Sequence, residues 1–170
     1  MSKKVRLCLA VVTVVGLAAV TLGAVALTGA DNFTSNGALV SGWYWLRAPE
    51  HSATYEFNVR AISGASEAWL NASFLATNGV NGGSGYDATV SLILSNDVGK
   101  KATGSMTVHN PFRPQDPTNT HGVGYQAYGA YRIPNSLWQG ANKLKVVVKN
   151  PSVSTRHVAV KKDALVIASK

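Results

Sequence analysis

The sequence has one cysteine, Cys8, and it lies inside the N-terminal apolar run, so no disulfide can brace the remainder of the chain. Cys8 opens that run instead of following it, which is the wrong place for a lipoprotein attachment site. Charged side chains are sparse at 14%, and no acidic residue occurs before Asp31. No G-x-S-x-G nucleophile elbow is present, and no thiol is available outside the apolar run. The four histidines (His51, His109, His121 and His157) have no metal-ligand spacing. A nucleophile, a redox centre and a metal centre therefore all lack their usual sequence marks, and the chain reads as non-catalytic, with no cofactor. A carboxylate pair assembled in space would leave a small secreted hydrolase as the third reading.

The formal net charge is +8. Three basic residues (Lys3, Lys4 and Arg6) precede the apolar run, leaving 13 basic and 8 acidic groups after it. After the apolar run the only basic doublets are Lys100-Lys101 and Lys161-Lys162, so the surplus is too dispersed for a nucleic-acid groove, though it suits an acidic envelope or an anionic polysaccharide.

What is present begins with residues 1–30. Leu7–Leu27 is apolar except for Thr13 and Thr21, and follows the positive Lys3, Lys4 and Arg6. Ala24-Val25-Ala26 and Thr28-Gly29-Ala30 both fit signal cleavage. The run exceeds the roughly 7–15 residues of an ordinary signal core and reaches the ~20 that span a bilayer, so cleaved signal and retained anchor helix stand side by side. Either way the chain from Asp31 is exported, secreted or held at a cell surface through residues 7–27.

Residues 31–37 read as a polar linker containing Asn32-Phe33-Thr34, a glycosylation tripeptide; Asn71-Ala72-Ser73 is a second. Residues 38–170 form one domain of about eight strands, by alternation and turn spacing, with no helical periodicity. In Thr54–Ile62, Tyr55, Phe57 and Val59 alternate with Glu56, Asn58 and Arg60. Val90, Leu92 and Leu94 give a second apolar face, and Met106 and Val108 a third. Such strands predict a two-sheet antiparallel β-sandwich.

The clearest strand lies in Ile133–Pro151. Leu144, Val146 and Val148 alternate with Lys143, Lys145 and Lys149 after a turn at Gly140-Ala141-Asn142, and Pro151 ends the ladder. With Gly140, Asn142, Leu144, Val146, Val148 and Asn150 in place, this stretch resembles a late strand of galactose-binding-like jelly rolls, the fold of many carbohydrate-binding modules. The resemblance is confined to this stretch and the strand after it. It implies a jelly roll and a sugar ligand. Such modules often hold structural calcium through loop oxygens, here Asp31, Asp87, Asn96, Asp97 and Asp116.

Sugar rings stack their C–H faces on aromatic side chains while amides and carboxylates bond the hydroxyls. Trp43, Trp45, Trp69, Tyr86, Tyr125, Tyr128, Tyr131 and Trp138 are the candidate rings, although core is the commoner role of such residues. Tyr128 has wet-face parity, opposite to Tyr125 and Tyr131, and Trp138 lies in a turn region. The glycine-rich loop Asn78–Gly85 adds Asn81, with Tyr86 and Asp87 at its end, and the proline-rich loop 111–121 adds Arg113 and Gln115. These two loops, with Tyr128 and Trp138, are expected to form one ligand-facing end. The favoured reading is an exported binding module for a carbohydrate or other cell-surface polymer. The alternative is a self-associating subunit of a surface layer, sheath or filament.

Overall fold

The computed structural model describes residues 26–78, 87–111, 126–150 and 156–170. Among these, all regular structure is β apart from three short 3₁₀ turns. The strands are β1 (Ala26–Gly29), β2 (Asn32–Ser35), β3 (Ala38–Val40), β4 (Trp43–Leu46), β5 (Ser52–Asn58) and β6 (Ala68–Asn78). They continue with β7 (Ala88–Asn96), β8 (Lys101–Val108), β9 (Gln126–Arg132), β10 (Lys143–Lys149), β11 (Arg156–Val160) and β12 (Leu165–Ser169).

The strand pairings among the described residues are antiparallel and build two sheets. The five-stranded sheet runs β2-β5-β10-β7-β8, which puts the lysine-alternating strand β10 at its centre. The seven-stranded sheet is built on β6. One side of β6 pairs with β9; the other pairs first with β12 and then with β11. The break between those two is a 3₁₀ turn at Lys162–Ala164, and beyond it β1 flanks β12 while β4 and β3 flank β11.

The core lies between the sheets. From β10 come Leu144, Val146 and Val148; from β5 come Ala53, Tyr55 and Phe57; from β6 come Leu70, Ala72 and Phe74, all buried. The buried Tyr55 phenol donates to the Lys161 carbonyl at 3.0 Å, and burial pushes its pKa far up. At one corner β8 and β9 pinch together. A Cβ on Gly129 would lie 2.6 Å from the Thr107 carbonyl oxygen, so only glycine permits this approach.

The structure redraws the expected boundaries at the N-terminus. The expected linker, residues 31–37, contains β2, paired to β5 through Phe33↔Tyr55. Residues 26–29, counted with the export segment, form β1 on the edge of β12. Alternation could not reveal these strands because each has only four residues and lies at a sheet edge. Leu39–Arg47, read as one strand, is a hairpin folded at Ser41-Gly42, whose φ values of 50° and 79° are both left-handed. Thus twelve strands stand among the described residues where about eight were expected. The anchor helix lies outside the described residues, among which no helix is long and apolar enough to cross a membrane.

The turn before β10 is also held differently from the expectation. Gly140 has φ +75°, but Asn142 does not share the left-handed region. Asn142 instead donates its backbone N–H and its Nδ2 to Asp97, each at 3.0 Å, and the Lys143 N–H adds a third bond at 3.2 Å. The Asn142 backbone bond is the largest influence holding the Asp97 carboxyl below its usual range, followed by the Asn142 side chain.

Two outcomes test this register. Val146→Asp puts an unpaired charge between the sheets and is expected to cost more than about 3 kcal/mol, whereas Lys145→Gln on the wet face should stay within about 0.5 kcal/mol; denaturant titration separates them. Because the folded Asp97 pKa is below its unfolded value, its stabilisation is complete above the unfolded pKa, near 3.9, and is lost as pH falls through the folded value. Melting temperatures taken from pH 5 downward should therefore fall less steeply for Asp97→Ala than for the parent.

Candidate binding face

Antiparallel registry sorts the tryptophans. Tyr44, Leu46, Leu70 and Phe74 face the core or pack against it, so Trp45 and Trp69 project from the outer face of the seven-stranded sheet, while half-buried Trp43 at the start of β4 packs against the core. On β6 the outward row is Trp69, Asn71, Ser73 and Leu75. On β9 their partners are Arg132, Ala130, Tyr128 and Gln126. Among the described residues, Trp69 and Tyr128 are the large rings left most open, at 37% and 39% exposure. Four residues of strand separate Trp69 from Ser73, the partner of Tyr128, so the two backbones lie about 14 Å apart along and across the sheet.

Polar groups surround this pair of rings. Gln126 Nε2 donates to Ser73 Oγ at 3.0 Å. Glu67 collects Trp69 Nε1 at 3.5 Å, Arg132 at 3.4 Å and Lys170 at 3.6 Å, so its single negative charge is shared between two cations and the indole edge. Half-buried Asn71, between Ala130 and Val166, makes no side-chain hydrogen bond among the described residues. At the far end of the row, backbone bonds of 2.8 and 2.9 Å join His109 to Tyr128. Directly opposed residues share a face, so the exposed His109 imidazole stands beside Tyr128. Its Nδ1 lies 3.1 Å from Asp87, whose other oxygen accepts the Asn110 N–H at 2.9 Å.

Asp87, His109 and Tyr128 thus come together, at the end of the sheets next to the undescribed segments 79–86 and 112–125. Asn81, Tyr86, Arg113 and Gln115 fall outside the described residues. Trp138 does not belong there. It is fully buried next to the 3₁₀ turn Asn135–Leu137, where Asn96 donates to the Ser136 and Leu137 carbonyls. Asn96 and Ala88 are opposite ends of nine-residue β7, about 30 Å apart. The turn folds this indole inward to close the far end of the core, and its Nε1 has no hydrogen-bond partner.

Of the glycosylation candidates, Asn32 is exposed on an edge strand and bonds Glu56, while Asn71 is on the central strand of its sheet. The oxygens considered for calcium have local partners at Asp87, Asp97 and Asn96, the last accepting from the Val98 and Lys100 N–H groups. No three His, Cys, Asp or Glu residues gather into a metal site among the described residues. His157, beside the Arg47 guanidinium, is held below its usual pKa, first by burial and then by that positive charge.

Sequence reasoning did not place Trp69 on the face, and it left His109 and Asn71 out of the ligand set. The parity of Trp69 against Leu70, Ala72 and Phe74 is the signal that finds it. Nothing local in the sequence marks the His109–Tyr128 bridge.

No family model matches the chain, and no curated protein matches it either. Among solved structures, the enzymatically active domain of tailspike protein 4 of bacteriophage CBA120 aligns at TM-score 0.36 and 12% identity, over 86% of this chain and 19% of that one. A likeness of that size does not assign the chain to a fold family.

Burial separates the two aromatic residues first chosen for the site. Trp138→Ala should destabilise the protein by about 3–5 kcal/mol, and Tyr128→Ala should leave the melting temperature nearly unchanged. Thermal denaturation of both variants checks this.

Proposed function

We propose that this chain is an exported, non-catalytic carbohydrate-binding module of jelly-roll type, secreted or anchored at a cell surface through its N-terminal segment. One observation carries the reading: two open rings, Trp69 and Tyr128, lie on a single sheet face on either side of the unengaged Asn71 amide. The rings offer stacking surfaces for two sugars of one chain, and Asn71, Gln126 and His109 offer groups that bond hydroxyls. The Glu67 bond fixes the indole edge, so little freedom is lost when a ligand lands there. The platform lies across the sheet instead of on the loops alone. Asp87 serves it by orienting His109.

A test uses an array of neutral and acidic oligosaccharides and then the best binder found. Stacking contributes about 0.5–1.5 kcal/mol per ring beyond burial, so Trp69→Ala and Tyr128→Ala should each weaken binding roughly two- to twelvefold without lowering the melting temperature. A protein that binds no array member, or one whose binding survives both substitutions, ends this reading.

The structural-subunit alternative is supported by a different feature. The β3 edge is apolar, with Leu39 at 60% exposure and Val40 beside it, and an edge of this kind is a template for strand pairing between copies. Sugar-independent assembly of the purified protein, abolished by Leu39→Lys, would establish it.

A further inference from the structure

The outer face of the five-stranded sheet has a different chemistry. Register places Lys145 between Glu56 and Ser95, with Lys101 beyond Ser95. Lys149 stands opposite Ser91, with Ser105 beyond, and Lys143 stands opposite Asn58. The carboxylates beside these lysines are Glu56, which already accepts a bond from Asn32, and Asp97, which accepts the Asn142 and Lys143 N–H groups. None of the four lysines has an ion-pair partner among the described residues. Among the described side chains near the opposite sheet, Arg132 and Lys170 lie by Glu67, Arg47 lies over Trp45, and Lys161 lies over Trp43. Four lysines without an ion pair therefore share this one sheet face.

The geometry points to this face as a docking surface for an anionic polysaccharide, a linear glycan bearing carboxylate or sulfate groups. Lys143, Lys145 and Lys149 form a column about 20 Å long down the central strand, and Lys101 widens it by two strands. Spacings of roughly 7 and 13 Å along the column are comparable to the ~8 Å Debye length of physiological salt, so an extended polyanion meets several ammonium groups at once. Hydroxyls of Thr54, Ser91, Ser95 and Thr103 lie among the lysines and can bond glycan hydroxyls and carboxylates. Single-stranded nucleic acid would use aromatic platforms, and this face has none. An anionic bilayer would use projecting apolar or aromatic anchors, whereas the apolar pair Val147 and Ile93 lies mid-strand, flanked by Thr54 and Thr103. The surface shares no residue with the Trp69–Tyr128 platform, so either site can fail alone.

Alginate, a uronate polymer, is the probe, with neutral dextran, oligothymidylate and phosphatidylglycerol vesicles alongside. The protein should bind alginate at low salt, lose affinity as salt rises, and ignore dextran through this face. Lys145→Gln/Lys149→Gln and, separately, Lys101→Gln/Lys143→Gln should each lower alginate affinity roughly two- to fivefold per lysine at unchanged melting temperature. Lys161→Gln/Lys162→Gln removes the same charge elsewhere and should leave the affinity unchanged. Equal loss in that control would reduce the effect to net charge and overturn the proposal. It is equally overturned if alginate does not bind, if the lysine pairs do not matter, or if oligothymidylate or vesicles bind as tightly as alginate.

Discussion

The registry of β6 is the constraint on which the aromatic face depends. Its eleven residues bury Ala68, Leu70, Ala72, Phe74 and Ala76 on one side, and the pleat then forces Trp69, Asn71, Ser73 and Leu75 to the other. A slip of one residue would move Phe74 into water and Trp69 into the core, so burial and display are set by one choice. Because β9, β11 and β12 all pair with this strand, its register also fixes where Tyr128, Arg132 and Ala159 appear.

The molecule presents two unlike outer surfaces on one core. On the seven-stranded sheet, rings are exposed and two cations share the Glu67 carboxylate. On the five-stranded sheet, four lysines lack an ion pair among the described residues and rings are missing. A glycan with both apolar sugar faces and acidic groups has complementary chemistry to each surface, and the intervening core holds them on opposite sides. Neither surface requires a bound metal or a moving part. Rigidity comes from the sheets, and the Asp87–His109 contact ties the stem of the glycine-rich loop to the strand end beside Tyr128.

Much of the sandwich was legible in the chain because alternation is a local signal. The inward faces of β5, β7 and β10 read directly from Tyr55 and Phe57, from Val90 and Leu92, and from Leu144 and Val146. Tyr128 was legible for the same reason: its parity placed it in water, and it is there. Trp138 was not, since a turn residue has no parity to consult and the direction of its indole depends on how the Asn135–Leu137 turn folds back. The short edge strands β1 and β2 were missed because four residues carry too little pattern. The meeting of Asp87, His109 and Tyr128 needs pairings over tens of residues, and no local spacing encodes those.

Strand β1 sets the state of one border of the seven-stranded sheet. It covers β12 through the pairs from Ala26↔Ser169 to Gly29↔Val166. Without those four residues the backbone of Val166–Ser169 would be bare, and a bare strand edge is ready to accept a strand from a neighbour. Four residues therefore separate a closed border from an open one.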